Sequence, residues 1–254
     1  MKYHPLKEKL SKNELTIGSW ITIGHTSVIE ILSHAGFDWL TIDLEHTTLD
    51  LTITQNLIAS IQSYDMAALV RVSKNEEVII KRVLDAGANG VIVPMVSNAD
   101  DARKAVEFAK YPPVGKRGVG LNRAQQYGYA FNEYKEWVDK NSVLIAQIEH
   151  IDGIHNIEEI IQTPGIDGVI IGPYDLSGSM GYPGEYERAD VKTALEKFKA
   201  ACQKNKKSMG FHVIDPDSMK LKEKIEEGYN FIAFSTDFLF MGKNAELQMK
   251  KIIE

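Results

Sequence analysis

A (β/α)8 barrel is the fold class this sequence predicts, and three observations carry the prediction. Short β-branched runs alternate with longer segments whose apolar residues recur three and four apart. Helix-to-strand joints repeat a small-residue signature, as in HAGFDW, DAGANG, TPGIDG and EEGYNF, where glycine suits the left-handed cap that ends a helix. At 254 residues the chain has the ordinary size of such a barrel and can bury one sizeable core, so a single domain over 1–254 is expected.

The elements follow in order. TIGSWITI (16–23) reads as the first strand and VIEILSHA (28–35) as the helix behind it. DWLTIDL (38–44) precedes a helix at 50–63, and AALVRV (67–72) precedes one at 76–85. GVIVPM (90–95) is followed by the alanine-spaced helix 99–110, VLIAQI (143–148) by 156–162, and IDGVII (166–171) by 190–204. SMGFHV (208–213), a helix at 216–227 and FIAFS (231–235) complete the set, and the tail after Asp237 reads as a final helix. Between the fourth strand's helix and the fifth strand lies the non-periodic stretch 111–130, and a loop that long is more often functional than ornamental.

Composition excludes several classes. Thirty-five acidic against 29 basic residues leave a net charge of −6, and no basic run is dense enough to follow a phosphate backbone, so nucleic acid is excluded as a partner. The N-terminus lacks the apolar centre of a signal peptide, and no apolar run approaches the roughly 18 to 20 residues of a membrane span, so no membrane association is expected. Cys202 stands alone, which fits a reducing cytoplasm.

In a parallel barrel the C-terminal ends of all strands open on one face, so scattered residues there converge. Asp43, Glu45 and His46 follow the second strand, Arg71 ends the third, Gln147 and Glu149 end the fifth, and Asp175 follows the sixth. Glu149 and Asp175, without histidine or thiol in their motifs, favour a hard divalent ion, Mg²⁺ or Mn²⁺, with water and substrate oxygens completing the shell. An isolated acidic residue at a strand end is more often an N-cap or ion-pair partner. His46 either caps the next helix or acts as a general base, since imidazole is the side chain suited to proton transfer near neutrality. Glu45 either backs the metal or belongs to the loop. Arg71 is either a structural ion pair or a fixed cation for a developing enolate oxygen. Arg117 and Arg123 in the long loop read as substrate or surface contacts, and His212 as a pocket wall.

Taken together, GFDWLTIDLEH, LVRV, LDAGANGVIVPMV, PPVGKRG, AQIEHIDGIHNIEEI and GIDGVIIGPYDLSGSMG resemble the HpcH/HpaI aldolases, the class II pyruvate aldolases that include 2,4-dihydroxyhept-2-ene-1,7-dioate aldolase. The resemblance runs from about Gly18 to Asp237. It implies reversible retro-aldol cleavage of a 4-hydroxy-2-oxo acid to pyruvate and an aldehyde, through an enolate stabilised by Mg²⁺, Mn²⁺ or Co²⁺. It also implies that Glu149 and Asp175 hold the metal, that Gln147 contacts pyruvate, that His46 is the base and that Arg71 stabilises the enolate. Asp85 matches the acid that raises the histidine's basicity. Its place at a helix end conflicts with that role inside one barrel, so a neighbouring subunit of a homohexamer, or Asp43 within the chain, is the expected solution. Tyr174 stands where familiar members have a small residue whose backbone N–H binds the pyruvate carboxylate; that contact survives, and the ring should restrict the acceptor. Oxaloacetate decarboxylation and citrate-lyase-like cleavage are the competing reactions, and a non-catalytic assembly protein on the same barrel is the alternative of another class.

Overall fold

The structure is a computed structural model and describes residues 4–253; the ends of the 1–254 span lie outside the described residues. Eight strands, β1 (Thr16–Ile21), β2 (Trp39–Asp43), β3 (Ala67–Arg71), β4 (Gly90–Val93), β5 (Val143–Ile148), β6 (Gly168–Ile171), β7 (Ser208–Val213) and β8 (Phe231–Thr236), close into a barrel in sequence order. Every neighbouring pair is parallel. Parallel strands need crossovers, and the helices that supply them bury their apolar faces against the strands' outer side chains.

A smaller cluster fills the barrel itself. Trp39 and Phe231, the first residues of β2 and β8, stack at 4.4 Å across its N-terminal end. Gly18 is opposite Trp39 in register, and a Cβ there would come within 2.1 Å of the indole, so glycine is what admits the ring. Below them Leu6 and Leu10, one turn apart on the helix Leu6–Ser11, join the same cluster and close the barrel floor. Burying each leucine contributes on the order of 1.5–3 kcal/mol.

Several boundaries depart from the sequence pattern for local reasons. β1 stops at Ile21 because the buried Asp237 carboxylate accepts the Thr22 and Ile23 N–H groups (both 2.8 Å) and the Thr22 hydroxyl (2.7 Å). β4 stops at Val93 because Pro94 has no N–H and Met95 is left-handed at φ 55°. The stretch 111–130 contains a 3-10 segment, Arg123–Gly128, and runs into a helix the pattern did not predict, Phe131–Asn141. Tyr134 and Val138 of that helix pack on Tyr111 and Ala124 in an aromatic cluster of their own. The final helix, Asp237–Ile253, buries only Asp237 and leaves Phe238, Met241, Leu247, Met249, Ile252 and Ile253 exposed. Among the described residues no helix is long and apolar enough to cross a membrane.

Candidate active site

Asp43 and Arg71 end neighbouring strands and lie directly opposite each other in register. Arg71 grips Asp43 in a fork, Nε to Oδ1 at 2.9 Å and Nη2 to Oδ2 at 2.7 Å, the bidentate geometry guanidinium favours. Trp20 of β1 lies beneath the guanidinium, 4.3 Å from Cζ to the ring centre. Burial opposes the Asp43 charge, but Arg71 and the backbone N–H groups of Glu45 and His46 outweigh it and hold the carboxyl below its usual range. Asp43 therefore meets His46 through a backbone amide at 3.4 Å and not through the imidazole. The ring itself is 67% exposed and has Glu45 as its acidic neighbour, Nε2 to Oε2 at 3.6 Å.

Across the mouth, the buried Glu149 accepts from the Met95 N–H at 2.7 Å and from the Gln147 amide nitrogen. The left-handed turn at Met95 is what aims that N–H at the carboxylate. Burial raises the Glu149 pKa, and the nearby Asp175 charge adds to the rise. Glu45 is pushed up to about 7, first by burial and then by Glu149, Asp43 and Asp175. Burial and the neighbouring carboxylates thus act together on Glu45 and Glu149, with Arg71 the opposing cation.

The donor set fits a divalent metal. Asp175 lies in the first turn of the helix Pro173–Ser179 after β6, on the same side as Glu149. Between them Gly172 leaves room over the carboxylate, for a Cβ there would approach Glu149 Oε2 to 3.2 Å. The Gln147 amide oxygen is buried without a partner beside it. All the donors are oxygens, which suits Mg²⁺ or Mn²⁺. Among the described residues no three His, Cys, Asp or Glu side chains converge to hold a metal by themselves.

Two clefts meet at Trp20, Arg71 and His212. One, of about 570 Å³, takes in Asp43, His46, Thr47 and Thr48. The other, of about 110 Å³, takes in Gln147, Tyr174, Asp175 and Tyr186. His212 is a wall of both, as its strand position predicts; burial pushes it down to about 4, so it stays neutral there. Tyr186 and Met95 carry no pattern that singles them out in sequence. A further cavity of about 440 Å³ near Cys202 and Asn230 has no carboxylate in its lining and belongs to the opposite end of the barrel.

Other residues lie elsewhere. Asp85 closes the helix Glu77–Asp85 and pairs with Arg117 at 2.5 Å, not with His46. Arg117 is a buried residue and not a surface or substrate contact; Arg123 donates to the Ala86 carbonyl at 3.1 Å and the Gln62 amide oxygen at 3.0 Å. Lys74 is exposed beside Glu76 at 3.0 Å, in water and not in the apolar surroundings a Schiff-base lysine requires.

Comparison with known proteins agrees with this geometry. A model of the HpcH/HpaI aldolase/citrate lyase family matches residues 16–241. The hydroxypyruvate/pyruvate aldolase of Roseobacter denitrificans is 34% identical over 96% of this chain and 96% of its own length. The 2-keto-3-deoxy-L-rhamnonate aldolase of Escherichia coli is 35% identical over 92% of this chain and 87% of its own. The crystal structure of an HpcH/HpaI aldolase/citrate lyase family protein from Burkholderia cenocepacia superposes with a TM-score of 0.93 at 31% identity, covering 99% of this chain and all of that one. With its eight-stranded barrel and the carboxylates and arginine at its mouth, the chain belongs to the HpcH/HpaI aldolase/citrate lyase family and is a carbon–carbon lyase.

Proposed function

We propose that the protein is a divalent-metal-dependent aldolase that reversibly cleaves a 4-hydroxy-2-oxo acid to pyruvate and an aldehyde. The observation that carries this reading is the set of oxygen donors at the barrel mouth: Glu149 lies against Gly172, and Asp175 lines the cleft shared by Gln147 and the fixed cation Arg71. Glu149 and Asp175 would hold the metal, whose Lewis acidity supports charge developing on a bound 2-oxo acid. The backbone N–H groups of Tyr174 and Asp175, in the first helical turn, have no acceptor within the helix and suit the substrate carboxylate. Gln147 and the nitrogen of Arg71 not used by Asp43 would meet the 2-oxo oxygen, since both residues line the smaller cleft with Asp175. His46, open to the larger cleft, takes the C4 hydroxyl proton as the C3–C4 bond breaks.

The names of the two aldolase relatives point to 2-oxo acids as the substrate class. A panel of aldehydes incubated with pyruvate, Mn²⁺ and purified protein tests the reading. Pyruvate consumption should depend on the aldehyde and give a 4-hydroxy-2-oxo acid that the enzyme cleaves again. Release of pyruvate from oxaloacetate with no aldehyde turnover would instead establish the decarboxylase reading.

Asp85 makes its ion pair with Arg117 and none with His46, and Val119, Leu121, Tyr127 and Tyr129 expose apolar surface on the long loop that flanks it. On this reading the working unit is a homo-oligomer, a hexamer, in which Asp85 serves the His46 of another copy. Mixing dissociated His46→Ala and Asp85→Asn proteins should restore part of the activity both lack, because mixed assemblies contain some sites with both groups intact. No recovery in demonstrably mixed oligomers would rule the arrangement out.

Tyr174 is 55% exposed on the wall of the smaller cleft, its ring beside Gly184. Tyr174→Ala should widen the range of aldehydes accepted, while pyruvate KM stays within about twofold because the backbone donor remains. An unchanged aldehyde profile would mean that the ring does not reach the acceptor.

A further inference from the structure

Arg117 is 1% exposed, yet it carries a full charge into the aromatic cluster beneath the long loop. Its Nη2 donates to Asp85 Oδ1 at 2.5 Å and to the Tyr134 hydroxyl at 3.1 Å, and that hydroxyl donates to the Leu84 carbonyl at 3.2 Å. The rings of Tyr111 and Tyr134 lie 4.7 and 5.5 Å from its Cζ, and its backbone N–H is tied to Lys110. Two donors, Nε and Nη1, are buried with no partner.

For stability alone this is a poor arrangement. A buried guanidinium with unmade hydrogen bonds is costly, and apolar residues of the same volume often serve a core as well or better. What the arrangement does accomplish is to fix one carboxylate. Tyr134 ties the guanidinium to the backbone of Leu84, the residue before Asp85, so the acid and its clamp share one anchor. The carboxylate opens on a surface cleft of about 230 Å³ that also takes in Gln55, Arg82 and Asn122.

We propose that Arg117 is a positioning residue for catalysis, acting through Asp85: the buried guanidinium holds one carboxylate oxygen and fixes the direction in which the other is presented across the subunit boundary. The inference rests on the reading above that Asp85 serves His46 of a second copy. Lysine in place of Arg117 keeps the charge and loses the planar, stacked geometry. Misplacing a catalytic group by an ångström slows turnover and leaves substrate binding at the other subunit's mouth untouched.

The test measures kcat and pyruvate KM on the metal-loaded enzyme for Arg117→Lys, Tyr134→Phe, Asp85→Asn and the double variant Arg117→Lys/Asp85→Asn, with oligomer size and thermal unfolding recorded for each. Arg117→Lys should lower kcat about tenfold or more with pyruvate KM within about twofold, and Tyr134→Phe should do the same more mildly. The double variant should be no slower than Asp85→Asn alone, because Arg117 has nothing left to position. Losses that add in the double variant, or wild-type kcat in both Arg117→Lys and Tyr134→Phe beside an impaired Asp85→Asn, overturn the positioning role. Wild-type kcat in Asp85→Asn overturns instead the underlying assignment of Asp85. If Arg117→Lys does not assemble, Tyr134→Phe and its double variant with Asp85→Asn decide the question by the same criteria.

Discussion

Asp175→Ala should reduce aldol cleavage by ~10²-fold or more, and EDTA should do the same to the wild type until Mn²⁺ or Mg²⁺ is restored. The side chain is exposed in the first turn of a short helix, so its loss removes a stabilising interaction with the helix terminus of only ~0.3–1 kcal/mol. The variant should therefore fold and assemble, and a calorimetric titration with Mn²⁺ should show weakened binding in parallel with lost turnover. Retention of both metal affinity and activity would remove Asp175 from the site. Glu149→Gln is the harsher companion, because that carboxylate is buried and shares hydrogen bonds with Met95 and Gln147.

Arg71→Ala should fail in two separable ways. It removes the cation proposed to face the reacting oxygens, at an expected loss of ~10²-fold or more in kcat/KM. It also strands the Asp43 carboxylate, which is 4% exposed and loses its charged partner, a break that typically destabilises by ~3–5 kcal/mol. Neutralising the orphan in Arg71→Ala/Asp43→Asn should recover much of the thermal stability and none of the turnover. Recovery of both would reduce Arg71 to a structural partner of Asp43. Arg71→Lys should keep more stability than alanine yet remain slow, since an ammonium cannot reproduce the fork.

The barrel was legible because its signals are local: each strand is a compact apolar run, and each glycine turn sits where a helix must stop. The gathering of Asp43, Arg71 and Gln147 at one end of the barrel was legible for the same reason, since it needs only the rule that parallel strands share a C-terminal face. What escaped depends on stagger between neighbours. That Asp43 faces Arg71 and not the His46 ring follows from a β2–β3 register no single segment encodes. The interplay of Glu45 with Glu149 and Asp175 likewise joins three loops, those after β2, β5 and β6. The helix Phe131–Asn141 was missed because its buried stripe, Tyr134 and Val138, is short and flanked by charge. Arg117 was misjudged because a glycine-rich loop suggests a surface, whereas this one folds back over Tyr111 and Tyr134.

The placement of the indoles has an optical consequence. Trp39 is sealed in the barrel floor against Phe231, Trp137 stacks on Tyr134 under the long loop at 5.9 Å, and Trp20 lies directly under the Arg71 guanidinium. Three chromophores thus sample three separate regions of the molecule, and only Trp20 borders the clefts where substrate would bind. With Trp39→Phe and Trp137→Phe, the residual emission becomes a reporter of events at the mouth alone. Ligand arrival can then be followed in real time without coupling it to turnover, and barrel unfolding can be read independently from Trp39 in the complementary variant.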